Sequence, residues 1–146
     1  MKIARPIGQL SQVLVAAPAY LARRGTPKTP HDLARHNCLD PNGNASSSWE
    51  LTKRDETTTV RVGGTLRTNG TLIVRRAAVV GLGIALLREY LVADNLRNGT
   101  LVRVLADYDM GKRTVYLVYQ KNIYQPRRIK VFTDYLTSRM AENDRP

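Results

Sequence analysis

The sequence has one cysteine, two histidines and only 12 acidic residues among 146 positions. With Cys38 alone, no disulfide can close within the chain, which suits a reducing compartment. His31 and His36 stand five apart, with no cysteine or carboxylate pattern to complete a zinc site. A structural or solvated role is expected for both, and no metal is. No apolar run reaches the roughly 18 residues that a membrane span requires. The stretch 13–21, VLVAAPAYL, is interrupted by Pro18 and Tyr20 and is not expected to be a secretory signal. Sequons at Asn44, Asn69 and Asn98 matter only in a secreted chain, so a cytoplasmic location without glycosylation is expected.

Catalytic signatures are missing as well. No Gly-x-Ser-x-Gly elbow occurs. Gly81-Leu82-Gly83 opens like a dinucleotide motif, but Leu86 holds the third glycine position and the motif precedes an expected strand instead of following one. DPNGN from Asp40 lacks the spacing and closing glutamate of a calcium loop. His36 is close to Cys38 in sequence, which is not a catalytic arrangement. No enzyme and no cofactor are expected.

What is abundant is positive charge: 23 Lys and Arg give a net charge of +11. Such an excess is compatible with nucleic acid, an anionic membrane, acidic small ligands or a merely solvated surface. A hydrophobic fraction of 42% in a chain of this length supports one folded domain.

Along the chain, QVLVAA reads as a buried strand and PAYLARRG as a helical turn bounded by Pro18 and Gly25. Thr29 can cap a helix that has Pro30 at its first position and Asp32 in its first turn. DPNGNASSS is a loop. WELTK and TTTVRV read as strands with RDE between them as a hairpin turn. REYLVADNLRNG reads as a helix stopped by Gly99. TLVRVL and RTVYLVYQ read as strands, the second apolar on both faces as in a sheet covered on both sides. PRRIKVFTDYLTSRM reads as an amphipathic helix with Pro126 at its start and Ile129, Phe132, Leu136 and Met140 on one face. Strands alternating with helices predict an α/β domain with a largely parallel sheet.

The run 66–87, LRTNGTLIVRRAAVVGLGIALL, poses the sharpest question. If TLRT is a strand and GTLIVRRAAVV a helix, then Thr68 to Thr71 form the junction. Ile73, Val74, Ala77, Ala78 and Val80 share one broad face of that helix, with Arg75 opposite. The side-chain oxygen of Thr68 or Asn69 can cap a first-turn N–H, and Gly70 keeps the approach open. The remaining N–H groups can bind an anion, helped by the helix dipole. An ordinary N-cap facing water satisfies the same pattern.

The order of segments resembles the effector-binding (substrate-binding) domain of LysR-type transcriptional regulators. The matching pieces are VLVAAPAYLARRGTPKTPHDLARHNCL, SWEL, TNGTLIVRRAAVVGLGIALL, NGTLVRVLADY, VYLVYQ and PRRIKVFTDYL, in the family's order and near its spacing. The resemblance implies an α/β fold of the periplasmic-binding-protein type (type 2), with two subdomains around a cleft that holds a small effector, often a carboxylate. Subdomain two would span about 17–112, the crossing strands about 10–17 and 113–120, and the C-terminal helix about 126–140. By the same resemblance, Thr68, Asn69, Gly70 and Thr71 would line the cleft as ligand-binding residues. The partners implied are the effector, a homo-oligomer or a full-length relative, and DNA only through a helix-turn-helix that is not in this sequence.

Departures from the family are expected to matter. The helix-turn-helix and the first half of subdomain one have no counterpart here, so half of the cleft would be absent and effector affinity poor. Arg88 stands where the family usually has proline, which is expected to let the next helix start earlier. Asp40 replaces a neutral residue and would disfavour an anionic effector if it faced the cleft. Two other functions compete with effector sensing. One is a basic nucleic-acid-binding protein using Arg23, Arg24, Arg75, Arg76, Arg127, Arg128 and Lys130, although no recognition helix is found. The other is a non-functional truncated remnant.

Overall fold

Residues 1–41, 47–120 and 127–143 are described in the computed structural model. In chain order the elements are β1 (Lys2–Ala16), α1 (Pro18–Arg24), a 3-10 helix (Pro30–Arg35), β2 (Cys38–Leu39), β3 (Ser47–Lys53), β4 (Glu56–Val62), α2 (Thr71–Val79), β5 (Ile84–Arg88), α3 (Glu89–Asn98), β6 (Val102–Arg103), β7 (Lys112–Gln120) and α4 (Arg127–Asn143). Contacts group the chain into two units, Ser11–Gly111 and Met1–Leu10 with Lys112–Pro146.

Local chemistry sets the element ends of the larger unit. Pro18 opens α1, and Gly25 closes it with a positive φ of 85°, donating its N–H to the Leu21 carbonyl at 2.8 Å. The Asp32 carboxylate accepts the N–H groups of Lys28 and Thr29 at 2.9 and 3.1 Å, ahead of the 3-10 helix. Those two bonds lower its pKa to about 2. The expected RDE turn narrows to two residues, Arg54 and Asp55, with φ of 50° and 63°. Lys53 and Glu56 close the β3–β4 ladder around them.

The sheet order is β2-β5-β1-β6. β2 and β5 pair in parallel, whereas β1 pairs antiparallel with both β5 and β6. Thus β2, β5 and β6 run one way and β1 runs against them. The expected largely parallel sheet is corrected to that extent. β1 sits between β5 and β6, two strands that α3 connects. Alternation along these strands feeds two cores. Val13, Val15, Leu39, Ala85 and Leu87 pack with Val74 and Ala78 of α2 and Val92 of α3. Leu14, Ala16, Cys38 and Ile84 pack with Tyr20, Leu33, Trp49, Leu51, Val60 and Val62. The expected strand TLVRVL shrinks to Val102–Arg103, because Leu105 turns the backbone to a φ of 51°.

In the smaller unit β7 pairs with β1. Val115, Leu117 and Tyr119 are half-buried, but Tyr116 and Val118 are each 57% exposed, so the expectation of two covered faces fails. One helix can cover one face of such a ribbon, and α4 packs so closely on β1 that a Cβ at Gly8 would lie 3.1 Å from Met140 Cε. The inward face of α4 also differs from expectation. Ile129, Leu136 and Met140 are half-buried, while Phe132 is 55% exposed and Thr133 is buried instead. Thr133 tolerates burial because its hydroxyl donates to the Ile129 carbonyl at 2.7 Å. Pro126 and positions 42–46 of the expected loop lie outside the described residues.

Candidate functional site

The chain crosses from the β3–β4 hairpin to α2 through the irregular stretch 63–70, where TLRT was expected to be a strand. Among the described residues no strand ladder pairs with it, although Gly63 at its start accepts the Cys38 N–H at 2.9 Å. Asn37 holds it instead: its amide Nδ2 donates to Thr65 Oγ1 at 3.1 Å, and its Oδ1 accepts the Thr65 N–H at 2.9 Å. The same Nδ2 donates to the Leu82 carbonyl at 2.9 Å, while the Asn37 carbonyl accepts the Ile84 N–H at 2.9 Å. One residue therefore joins the approach to α2, the turn after α2 and the start of β5. The Gly81–Gly83 motif belongs to this joint. Gly81 adopts a φ of 86°, and a Cβ at Gly83 would fall 2.2 Å from the Asn37 carbonyl oxygen.

At the junction, Thr68 Oγ1 accepts the Gly70 N–H at 3.0 Å. This is a local turn bond and not a cap on the helix interior. Gly70 is the N-cap, with φ −84° and ψ 106°, and its carbonyl accepts the first helical bond from Val74 at 3.1 Å. The expected capping by Thr68 or Asn69 is thereby corrected: no side chain caps α2. The N–H groups of Thr71, Leu72 and Ile73 are left without helical partners. Asn69 is exposed, and Thr68, Gly70 and Thr71 are half-buried. A Cβ at Gly70 would stand 3.0 Å from Ile73 Cδ1, so the glycine keeps the first turn open.

The buried stripe of α2 is rotated from the one expected. Val74 and Ala78 are buried, but Ile73 and Val80 are exposed. Arg75, expected opposite the core, is half-buried and donates Nη1 to the Leu91 carbonyl of α3 at 3.0 Å. Its aliphatic stem packs while its head finds a carbonyl, so α3 lies on the side that apolarity alone assigned to solvent. This contact links the second turn of α2 to the first turn of α3. α2 runs toward the turn that begins β5, and α3 starts where β5 ends. Both helix N-termini consequently lie at the carboxyl end of β5, the usual ligand-binding edge of open α/β sheets.

The two single-residue departures, Arg88 and Asp40, resolve differently. Arg88 does not extend α3 backward. It stays the last residue of β5 and the N-cap of α3, with φ −67° and ψ 136°. The Asp40 carboxylate accepts the Trp49 indole N–H at 2.9 Å. Cys38 is buried and its Sγ lies 3.4 Å from the Leu33 carbonyl oxygen. Burial, with the Asp40 charge behind it, pushes its thiol up to about 12. Among the described residues no three His, Cys, Asp or Glu side chains gather as metal ligands. Asn37 and Arg75 are the positioning residues that sequence reasoning missed; HNC and VRRA carry no local signal for partners 28 and 16 residues away.

The family model of the LysR substrate binding domain matches residues 3–141. The chain belongs to this family. A similar LysR-family relative, the HTH-type transcriptional regulator PtxR of Pseudomonas aeruginosa, is 33% identical over 131 residues, which is 89% of this chain and 42% of that protein. The HTH-type transcriptional activator TtdR of Escherichia coli K12 is 32% identical over 138 residues, 93% of this chain and 44% of that one. Full-length AphB, a virulence activator of Vibrio cholerae, superposes with a TM-score of 0.80 at 31% identity, covering 94% of this chain and 48% of AphB. The regulatory domain of CrgA from Neisseria meningitidis superposes with a TM-score of 0.76 at 25% identity, covering 95% and 69%. The chain thus spans a little under half of the curated relatives it matches. Its fold class is the expected one, the α/β periplasmic-binding-protein type of LysR regulatory domains. The family consists of regulatory domains of transcription factors, not enzymes.

Proposed function

We propose that this chain is the effector-sensing part of a LysR-type transcriptional regulator, and that it binds a small carboxylate at Thr68, Asn69, Gly70 and Thr71. The observation that carries this reading is the uncapped first turn of α2. Partnerless N–H groups and the helix dipole favour an anion there. Leu72 and Ile73, exposed in the same turn, offer apolar surface to the carbon skeleton of an acid. In this proposal the chain works in the cytoplasm, as a homo-oligomer or with a full-length relative. DNA is reached through a helix-turn-helix outside this sequence.

Isothermal titration of the chain with a panel of small carboxylic acids tests the reading. At least one acid should bind, and Asn69→Asp should weaken it about tenfold by setting a second anion in the site. If every acid fails and random duplex DNA binds with an affinity that falls steeply with salt, the basic nucleic-acid-binding reading replaces this one.

A further inference from the structure

The Tyr20 hydroxyl is shared between a titratable ring and the Asn37 joint. Tyr20 of α1 is buried, and its Oη lies 2.7 Å from His36 Nδ1 and accepts the Asn37 N–H at 3.3 Å. Among the described residues that oxygen has no third partner. With the imidazole neutral and its proton on Nε2, the hydroxyl proton goes to Nδ1 while an oxygen lone pair takes the Asn37 N–H. A proton on Nδ1 ends this arrangement. Nδ1–H and the Asn37 N–H then point at one oxygen, and the hydroxyl proton is left buried without an acceptor. His36 is half-buried at the C-cap of the 3-10 helix, so its ring can exchange this contact for water. The charges that reach the ring are Arg24 of α1, and Asp32 and Arg35 of the 3-10 helix. β4, packed on that helix, turns the buried Val60 and Val62 inward and leaves Glu56 and Arg61 exposed. Beyond the hydroxyl, Asn37 holds the stretch 63–70 through Thr65, the turn after α2 through Leu82 and β5 through Ile84.

We propose that His36, Tyr20 and Asn37 form an acid-operated latch on the stretch 63–70: a proton taken from solvent by His36 Nδ1 breaks the shared hydroxyl contact and loosens the hold of Asn37 on Thr65. The inference stands independently of any effector at Thr68 to Thr71. At neutral pH the hydroxyl anchors the Asn37 main chain, and the side-chain amide meets the Thr65 N–H with Oδ1 and the Leu82 carbonyl with Nδ2. After protonation Asn37 keeps its bond to β5 and loses that anchor. Its side-chain bonds lie exposed to water and open more often. The loosened stretch leads directly into α2, so acid changes how firmly the start of that helix is presented. Burial and the Arg24 charge resist the proton, which sets the release below the ordinary imidazole range.

Amide hydrogen exchange of the whole chain, followed by NMR from pH 8 to pH 5 and corrected for the intrinsic effect of pH, tests this. Protection of the Thr65 N–H should fall about fivefold further than that of the Thr52 N–H, which bonds to Asp109, since one ordinary hydrogen bond is worth about that factor. The midpoint of the fall should coincide with the titration of the His36 imidazole resonances. In Tyr20→Phe, which keeps the ring and removes the hydroxyl, His36 should still titrate while the ratio of Thr65 to Thr52 protection stays flat. His36→Gln, which cannot take up a proton in this range, should give a flat ratio too, and it carries the comparison if the phenylalanine variant loses its dispersed spectrum. An equal fall at Thr65 and Thr52 in the wild type reports overall destabilisation and overturns the latch. A midpoint apart from that of His36, or the wild-type fall persisting in either variant, overturns it as well.

Discussion

The Arg75 guanidinium of α2 and the Leu91 main-chain carbonyl of α3 meet at 3.0 Å, tying the second turn of one helix to the first turn of the other. Arg75→Met keeps the packed stem and deletes the donor. The expected loss is about 1–2 kcal/mol, the worth of a hydrogen bond from a charged donor. Urea unfolding followed by tryptophan fluorescence reads it, since Trp49 is the single tryptophan. A midpoint equal to that of the wild type would show that the tie contributes nothing.

Two glycines are kept for different reasons, and substitution separates them. Gly83 needs space: its Cβ would strike the Asn37 carbonyl oxygen at 2.2 Å, a backbone atom that cannot swing away. Gly99 needs conformation: it closes α3 at φ 79° with nothing within 4 Å of the added carbon. Gly83→Ala should cost about 2–3 kcal/mol through overpacking, and Gly99→Ala about 1 kcal/mol through left-handed backbone strain. Chemical denaturation of both variants gives the order, and the reverse order would refute the assignment of causes.

Stability should depend on pH through His36. Its Nδ1 meets the Tyr20 hydroxyl at 2.7 Å, and that hydroxyl already accepts the Asn37 N–H at 3.3 Å. In the neutral imidazole with its proton on Nε2, Nδ1 can accept the Tyr20 hydroxyl proton. Burial and the Arg24 charge hold the imidazole below its ordinary 6.5, against a smaller opposing pull from Asp32. The unfolded chain takes up the proton near pH 6.5 and the folded one only at lower pH. The contribution is therefore complete above pH 6.5 and declines as pH falls below it toward the folded value. Denaturation midpoints of the wild type and His36→Gln, measured from pH 8 to pH 5, should converge as pH falls. Parallel curves would show that His36 takes no part.

Much of the fold was legible because its determinants are local. Pro18 and Gly25 bound α1, Gly99 stops α3, and the β-branched runs around Arg54 and Asp55 form the hairpin. The start of α2 at Thr71 was equally readable, since a polar stretch gives way to apolar residues at helical spacing. What escaped depends on distant partners or on atoms inside a side chain. Apolarity put Arg75 on the solvent side, yet its head was satisfied by a carbonyl of another helix. Apolarity also put Phe132 inward, yet Thr133 took that place by turning its hydroxyl back onto its own helix. The Asn37 joint has no sequence signature, because an asparagine after a helix is ordinary until Thr65 and Leu82 arrive beside it.

That joint has an evolutionary consequence. Asn37 pins the chain at Thr65, and the helical bonds of α2 pin it again from Gly70 onward. The short bridge between the two anchors owes its path to atoms outside itself. Exposed side chains on it, such as Arg67 and Asn69, can change their chemistry while the backbone beneath them keeps its course. A lineage can revise what the bridge greets without rebuilding the architecture that presents it.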